Sequence, residues 1–162
     1  MRLAPFRVVL DTNVLVRAML NVQSASGKIL KACERRELVP LLNRVVLLEY
    51  LETLTHPAML AEYPELEPDR IRTTLERLAY IGDVVRQTRI RFPFPRDPRD
   101  AKFVELCAAA SATHLISGDP DLLDLPQGHD QTSKRFRRLL PGIIVLTPSG
   151  FVSRYAADLM LS

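Results

Sequence analysis

Three carboxylates have the positions to do chemistry together: Asp11, Asp100 and Asp119. Asp11 follows the apolar, β-branched run Phe6-Arg7-Val8-Val9-Leu10, which reads as a strand. Asp119 follows His114-Leu115-Ile116-Ser117, a second apolar run closed by Gly118. Both acids therefore fall just past the carboxyl end of an expected strand, the edge where open parallel sheets bind ligands. If the two strands are neighbours, Asp11 meets Asp119. Asp100 joins them from the start of a helix whose apolar face is Phe103, Leu106, Cys107 and Ala110. Clustered carboxylates repel one another unless something positive neutralises them. An all-oxygen set favours Mg²⁺ or Mn²⁺ over Zn²⁺. The matching chemistry is activation of water and an in-line displacement at phosphorus.

Glu49 is an acid in a different setting. It sits among Val46, Leu47, Leu48, Tyr50 and Leu51 in an expected helix, where an unpaired carboxylate is costly. A metal would remove that cost, and so would an arginine.

The elements that must position these acids alternate along the chain. A helix is expected over about 14–20 and a second, capped by Ser26, over about 28–37. A strand at 39–42 follows, then a helix capped by Asn43 that stops at His56-Pro57. A short helix at 58–63 precedes one capped by Asp69 over about 70–81. A third strand is expected at 84–88, then a Pro/Arg-rich loop over 89–98, the Asp100 helix and the His114 strand. A long loop over 124–142, a strand at 143–146 and a helix reaching about 160 complete the chain. This alternation predicts an α/β fold with a mainly parallel sheet covered on both faces.

Hydrophobic residues make up 47% and charged residues 25%, the balance of an ordinary globular core, and 162 residues suit one domain. No apolar run approaches the ~20 residues of a membrane span. The start shows no signal-peptide pattern, so a cytoplasmic location is expected. Cys33 and Cys107 show no metal-site spacing and are expected to be reduced and buried. The net charge of +3 points only weakly to nucleic acid.

The order of motifs resembles the PIN-domain family, in particular its VapC-like ribonuclease toxins of bacterial toxin–antitoxin pairs. The match is carried by Asp11-Thr12-Asn13-Val14-Leu15, Leu48-Glu49-Tyr50, Asp97-Pro98-Arg99-Asp100-Ala101-Lys102-Phe103, Ser117-Gly118-Asp119-Pro120-Asp121, and a closing Leu146-Thr147-Pro148. The resemblance spans nearly the whole chain. It implies a three-layer α/β/α sandwich over residues 1–162. It also implies a ribonuclease site in which Asp11, Glu49, Asp100 and Asp119 surround Mg²⁺ or Mn²⁺, with Thr12, Asn13 or Ser117 orienting ligands or water. A small antitoxin partner and a homodimer are family expectations. Asp97 can equally cap the helix near Asp100, and Asp121 reads as the cap of a short helix from Leu122. The sequence departs from the family in a long basic segment over 127–142 and in Ser117, where threonine is usual.

Substrate RNA needs cations outside the acidic pocket. One candidate stripe is Arg86, Arg89, Arg91, Arg96 and Arg99. The other is Lys134, Arg135, Arg137 and Arg138 around Phe136, whose ring could stack on a base. Each stripe also fits an ordinary solvated surface. His56, His114 and His129 fall in a helix end, a strand and a loop, which suits no metal-free acid–base pair. The rival function is a PIN-like RNA- or protein-binding domain without turnover. A phosphate-accepting receiver lacks a lysine after a late strand, and a dehalogenase-type phosphatase lacks an aspartate at Asn13.

Overall fold

The computed structural model describes residues 4–86, 89–159 and 161. The strands are β1 (Phe6–Leu10), β2 (Leu38–Leu42), β3 (Asp83–Val84), β4 (His114–Ile116) and β5 (Ile144–Leu146). They form one sheet in the order β3-β2-β1-β4-β5, with every neighbouring pair parallel. The order runs one way from β1 to β3 and the other way from β4 to β5. The carboxyl ends of β1 and β4 therefore flank the point where it reverses, the crevice such sheets use for ligands.

Helices α1 (Thr12–Leu20), α2 (Ala25–Glu34), α3 (Arg44–Leu54), α4 (Pro57–Glu62) and α5 (Pro68–Ile81) come from the first half of the chain. Helices α6 (Ala101–Ala110), α7 (Pro120–Leu123), α8 (Gln131–Leu139) and α9 (Pro148–Tyr155) come from the second. They flank the sheet as the α/β pattern predicts. Helix α6 packs on β1, β2 and β4, while α2 packs against α1, α5 and α9. Val8, Val9, Leu15, Phe103, Val104 and Leu115 are buried at the centre of the core. No helix among the described residues is long and apolar enough to cross a membrane. Cys33 and Cys107 are free and buried, and burial pushes both thiols up, Cys33 to about 12.

Several element ends differ from the sequence expectation, each for a local reason. Ser24, not Ser26, caps α2, by accepting from the Gly27 amide at 3.1 Å. Gly27 lies so close to the Val22 carbonyl that a Cβ there would stand 2.4 Å from its oxygen. Asp69 is not a cap: α5 begins a residue earlier at Pro68, whose ring needs no amide partner at a helix start, and Asp69 lies in the first turn. Strand β3 spans two residues because β2 stops at Leu42, where Asn43 caps α3 through the Val46 amide at 2.9 Å. The expected end of that strand, Gln87 and Thr88, lies outside the described residues. The expected loop over 124–142 contains α8. Asp130 caps it, and Ser133, Phe136 and Leu140 are buried along one side of the segment. Helix α9 ends at Tyr155, short of the expected 160, and Met160 lies outside the described residues.

Tyr50 ties α3 to the sheet. Its buried hydroxyl donates to the carbonyl of Leu10 at 2.5 Å, one residue before Asp11. Tyr50→Phe is expected to lower the unfolding free energy by ~1–3 kcal/mol, because it strands a buried carbonyl. The midpoint shift in urea measures this, and no shift would mean that the carbonyl finds another donor.

Candidate active site

Asp11 ends β1 and opens α1. Its amide donates to the carbonyl of Ile116 at 3.0 Å, which pins the acid to β4. Its Oδ2 accepts from the buried Ser117 hydroxyl at 2.6 Å. Ser117 Oγ in turn accepts from the Asp119 amide at 2.9 Å. One hydroxyl thus links the acids of the two strands. Burial raises the pKa of Asp11. The Ser117 and Asn13 hydrogen bonds oppose that rise, and the charges of Asp119 and Glu49 add to it. The Asn13 side chain is exposed.

Asp97, Asp100 and Asp119 form a carboxylate cluster in which Asp100 is buried and the other two are half-buried. Each offers a carboxylate oxygen within 4.8 Å of the others. Asp97 caps the short 3₁₀ turn Pro98–Asp100 through the Arg99 amide at 3.2 Å, yet still faces the cluster. Asp119 caps α7 through the Asp121 amide at 2.9 Å. The cap of α7 is therefore Asp119, not Asp121, because the helix already starts at Pro120. Asp121 instead pairs with Arg96 at 2.5 Å.

Asp100 is 9% exposed, and its Oδ2 is buried without a hydrogen-bond partner. Burial, then a hydrogen bond with the Asp119 side chain and the charges of Asp11, Asp97 and Asp119, push its pKa up to about 8. Two carboxylates about 5 Å apart repel by roughly 3 kcal/mol at an effective dielectric of about 20. An orphaned buried oxygen among like charges, with only oxygen donors around it, fits a hard divalent cation.

Glu49 is placed differently. One oxygen accepts from the Thr12 hydroxyl, and the other is 2.6 Å from Lys102 Nζ. The partner that offsets its burial is thus a lysine. Lys102 carries no signal in the sequence: residues two apart on a helix do not share a face, so its spacing from Asp100 points to no shared role.

The basic segment splits. Lys134, Arg135, Arg137 and Arg138 are exposed on α8, while Phe136 is 1% exposed and packs edge-on against Phe92. The ring is therefore core and cannot stack on a base, because α8 has a single apolar stripe and Phe136 is its largest member. Arg137 donates to the Pro126 and Gly128 carbonyls, and Arg135 to that of Arg91. In the other stripe Arg91 lies 3.8 Å from Glu105, and Arg96 joins Asp121 and Asp124. His114 is buried between Phe6, Phe151 and Tyr155, and burial lowers its pKa to about 4. It is a neutral core group.

A family model described as PIN domain matches residues 7–121, well over half of the chain. The chain belongs to the PIN-domain family. The match takes in all five site acids of this PIN domain and stops before α8, β5 and α9. No curated protein and no solved structure matches the chain. PIN domains are generally nucleases and typically use a divalent metal, which agrees with the acidic cluster of this one. An apolar groove of about 810 Å³ in this PIN domain contains none of the acids. It lies between α3 and α5, is floored by Leu48, Leu51, Leu75 and Val84, and is rimmed by arginines such as Arg44 and Arg72.

Proposed function

We propose that this PIN domain is a metal-dependent endoribonuclease, the cytoplasmic toxin of a toxin–antitoxin pair. The observation that carries the nuclease reading is the buried Asp100 carboxyl, its Oδ2 without a hydrogen-bond partner, clustered with Asp97 and Asp119. These three acids would hold Mg²⁺ or Mn²⁺, with Asp11 beside them. When bound, the cation supplies activation of water and neutralises charge that develops at phosphorus. Ser117 holds Asp11 in place, and Thr12 and Lys102 fix Glu49 at the rim, where it can take a proton from attacking water. Lys134, Arg135, Arg137 and Arg138 on α8 supply cations for the RNA backbone away from the acids. The toxin reading rests on the motif order. It adds a small antitoxin that covers the site, and a homodimer.

One observation favours the alternative, an RNA- or protein-binding domain without turnover: the apolar groove between α3 and α5 is a surface of the kind partners cover. Cleavage of a mixed RNA pool separates the two. Cutting with Mn²⁺ or Mg²⁺ that stops with EDTA, and in Asp119→Asn, is the expected result. Absence of both cutting and metal binding would leave the binding reading.

A further inference from the structure

The five acids of the site meet two different kinds of surroundings. Asp97, Asp100 and Asp119 converge, and among the described residues none of them makes an ion pair. Glu49 already has one: Lys102 Nζ lies 2.6 Å from Oε1, and the Thr12 hydroxyl donates to Oε2. The Glu49 and Lys102 side chains are 22% and 24% exposed, so water screens this pair less than it would a surface ion pair. Lys102 stands two residues beyond Asp100, so the first turn of α6 follows a buried acid directly with an ammonium group.

We propose that Lys102 is the site's built-in second cation. The protein then takes one divalent ion per chain, at Asp97, Asp100 and Asp119, and Glu49 serves as the lysine's counter-ion and not as a ligand. This rests on the metal-binding reading above. A second ion at Glu49 would have to displace an ammonium group at hydrogen-bond distance, or lie against it. Both oxygens of Glu49 are already held by donors. The remaining acid, Asp11, has one oxygen engaged by Ser117 and offers a second ion only half a carboxylate. Charge balance points the same way. The Glu49–Lys102 pair is neutral, so the uncompensated negative charge is concentrated at the triad and Asp11.

The test is the stoichiometry of Mn²⁺ binding to metal-free protein, by calorimetry and by electron paramagnetic resonance, with circular dichroism to verify folding. Wild type is expected to bind one ion per chain. Lys102→Met, which keeps the length of the side chain and removes its charge, is expected to gain a second, weaker ion at the freed Glu49. Lys102→Arg, which keeps the charge, and the double variant Lys102→Met/Glu49→Gln, which removes the ligand, are each expected to return to one. Two ions of similar affinity in wild type, or one ion in folded Lys102→Met, would overturn the proposal and leave the metal site standing. Wild type that binds no ion would overturn the metal reading as well. If Lys102→Met does not fold, Glu49→Gln in the wild-type background decides. It is expected to keep the one ion at unchanged affinity, and loss of that ion would make Glu49 a ligand and refute the proposal.

Discussion

Asp100→Asn is expected to cut metal-dependent RNA cleavage by roughly 100-fold or more and, in the same protein, to raise the melting temperature of the metal-free form at pH 8. The first effect should exceed the ~10–100-fold that loss of an outer partner of a metal ligand costs. The second follows from the surroundings of Asp100. Its carboxyl titrates near 3.8 in an unfolded chain and at about 8 in the folded one. Between those values the folded state holds a proton that the unfolded state has released. Stability from this group is therefore complete below about pH 4 and is lost as pH rises through about 8. Asparagine carries no such charge, so the variant should lose much of this pH dependence. For a chain of this size ~1 kcal/mol corresponds to ~2–4 °C, which scanning calorimetry at pH 6 and pH 8 resolves. Saturating Mn²⁺ should stabilise wild type, by RT ln(1 + [L]/Kd), and the variant far less. A lower melting temperature for metal-free Asp100→Asn at pH 8 would show that the carboxylate serves the fold.

Phe136→Ala is expected to cost ~3–5 kcal/mol, the range for a large aromatic removed from a packed core. The melting temperature should fall by roughly 10 °C. The ring fills the space under α8 against Phe92, which itself touches Phe94. Charge reversal at the exposed neighbours Lys134 and Arg138 should do the opposite. It should leave the melting temperature nearly unchanged, weaken RNA binding and flatten its dependence on salt. A Phe136→Ala protein of normal stability that binds RNA poorly would put the ring on the RNA and not in the core.

What could be read from sequence was local. A strand run followed at once by an acid placed Asp11, and a second such run closed by a glycine placed Asp119. Asn43 before an apolar helix marked the start of α3, because an asparagine side chain offers an acceptor to the free amides there. The all-oxygen donor set points to a hard divalent cation from residue types alone. Local signals were ambiguous where two candidates stood within a turn of each other, as with Ser24 and Ser26, or Asp119 and Asp121. There the path of the backbone chose. The helix α8 was hidden because one buried aromatic among four cations is a thin apolar stripe.

Tertiary structure decided which of these groups meet. The order of strands put β1 beside β4 and so Asp11 beside Asp119. The path into α6 brought Asp97 into the cluster as well as to its cap. Lys102 reaches Glu49 across 53 residues of chain. Phe136 turned inward because Phe92 was there to receive it. Capping and periodicity are set by a few consecutive residues, whereas these contacts depend on strand order and on the space left between packed helices, which no short stretch of sequence contains.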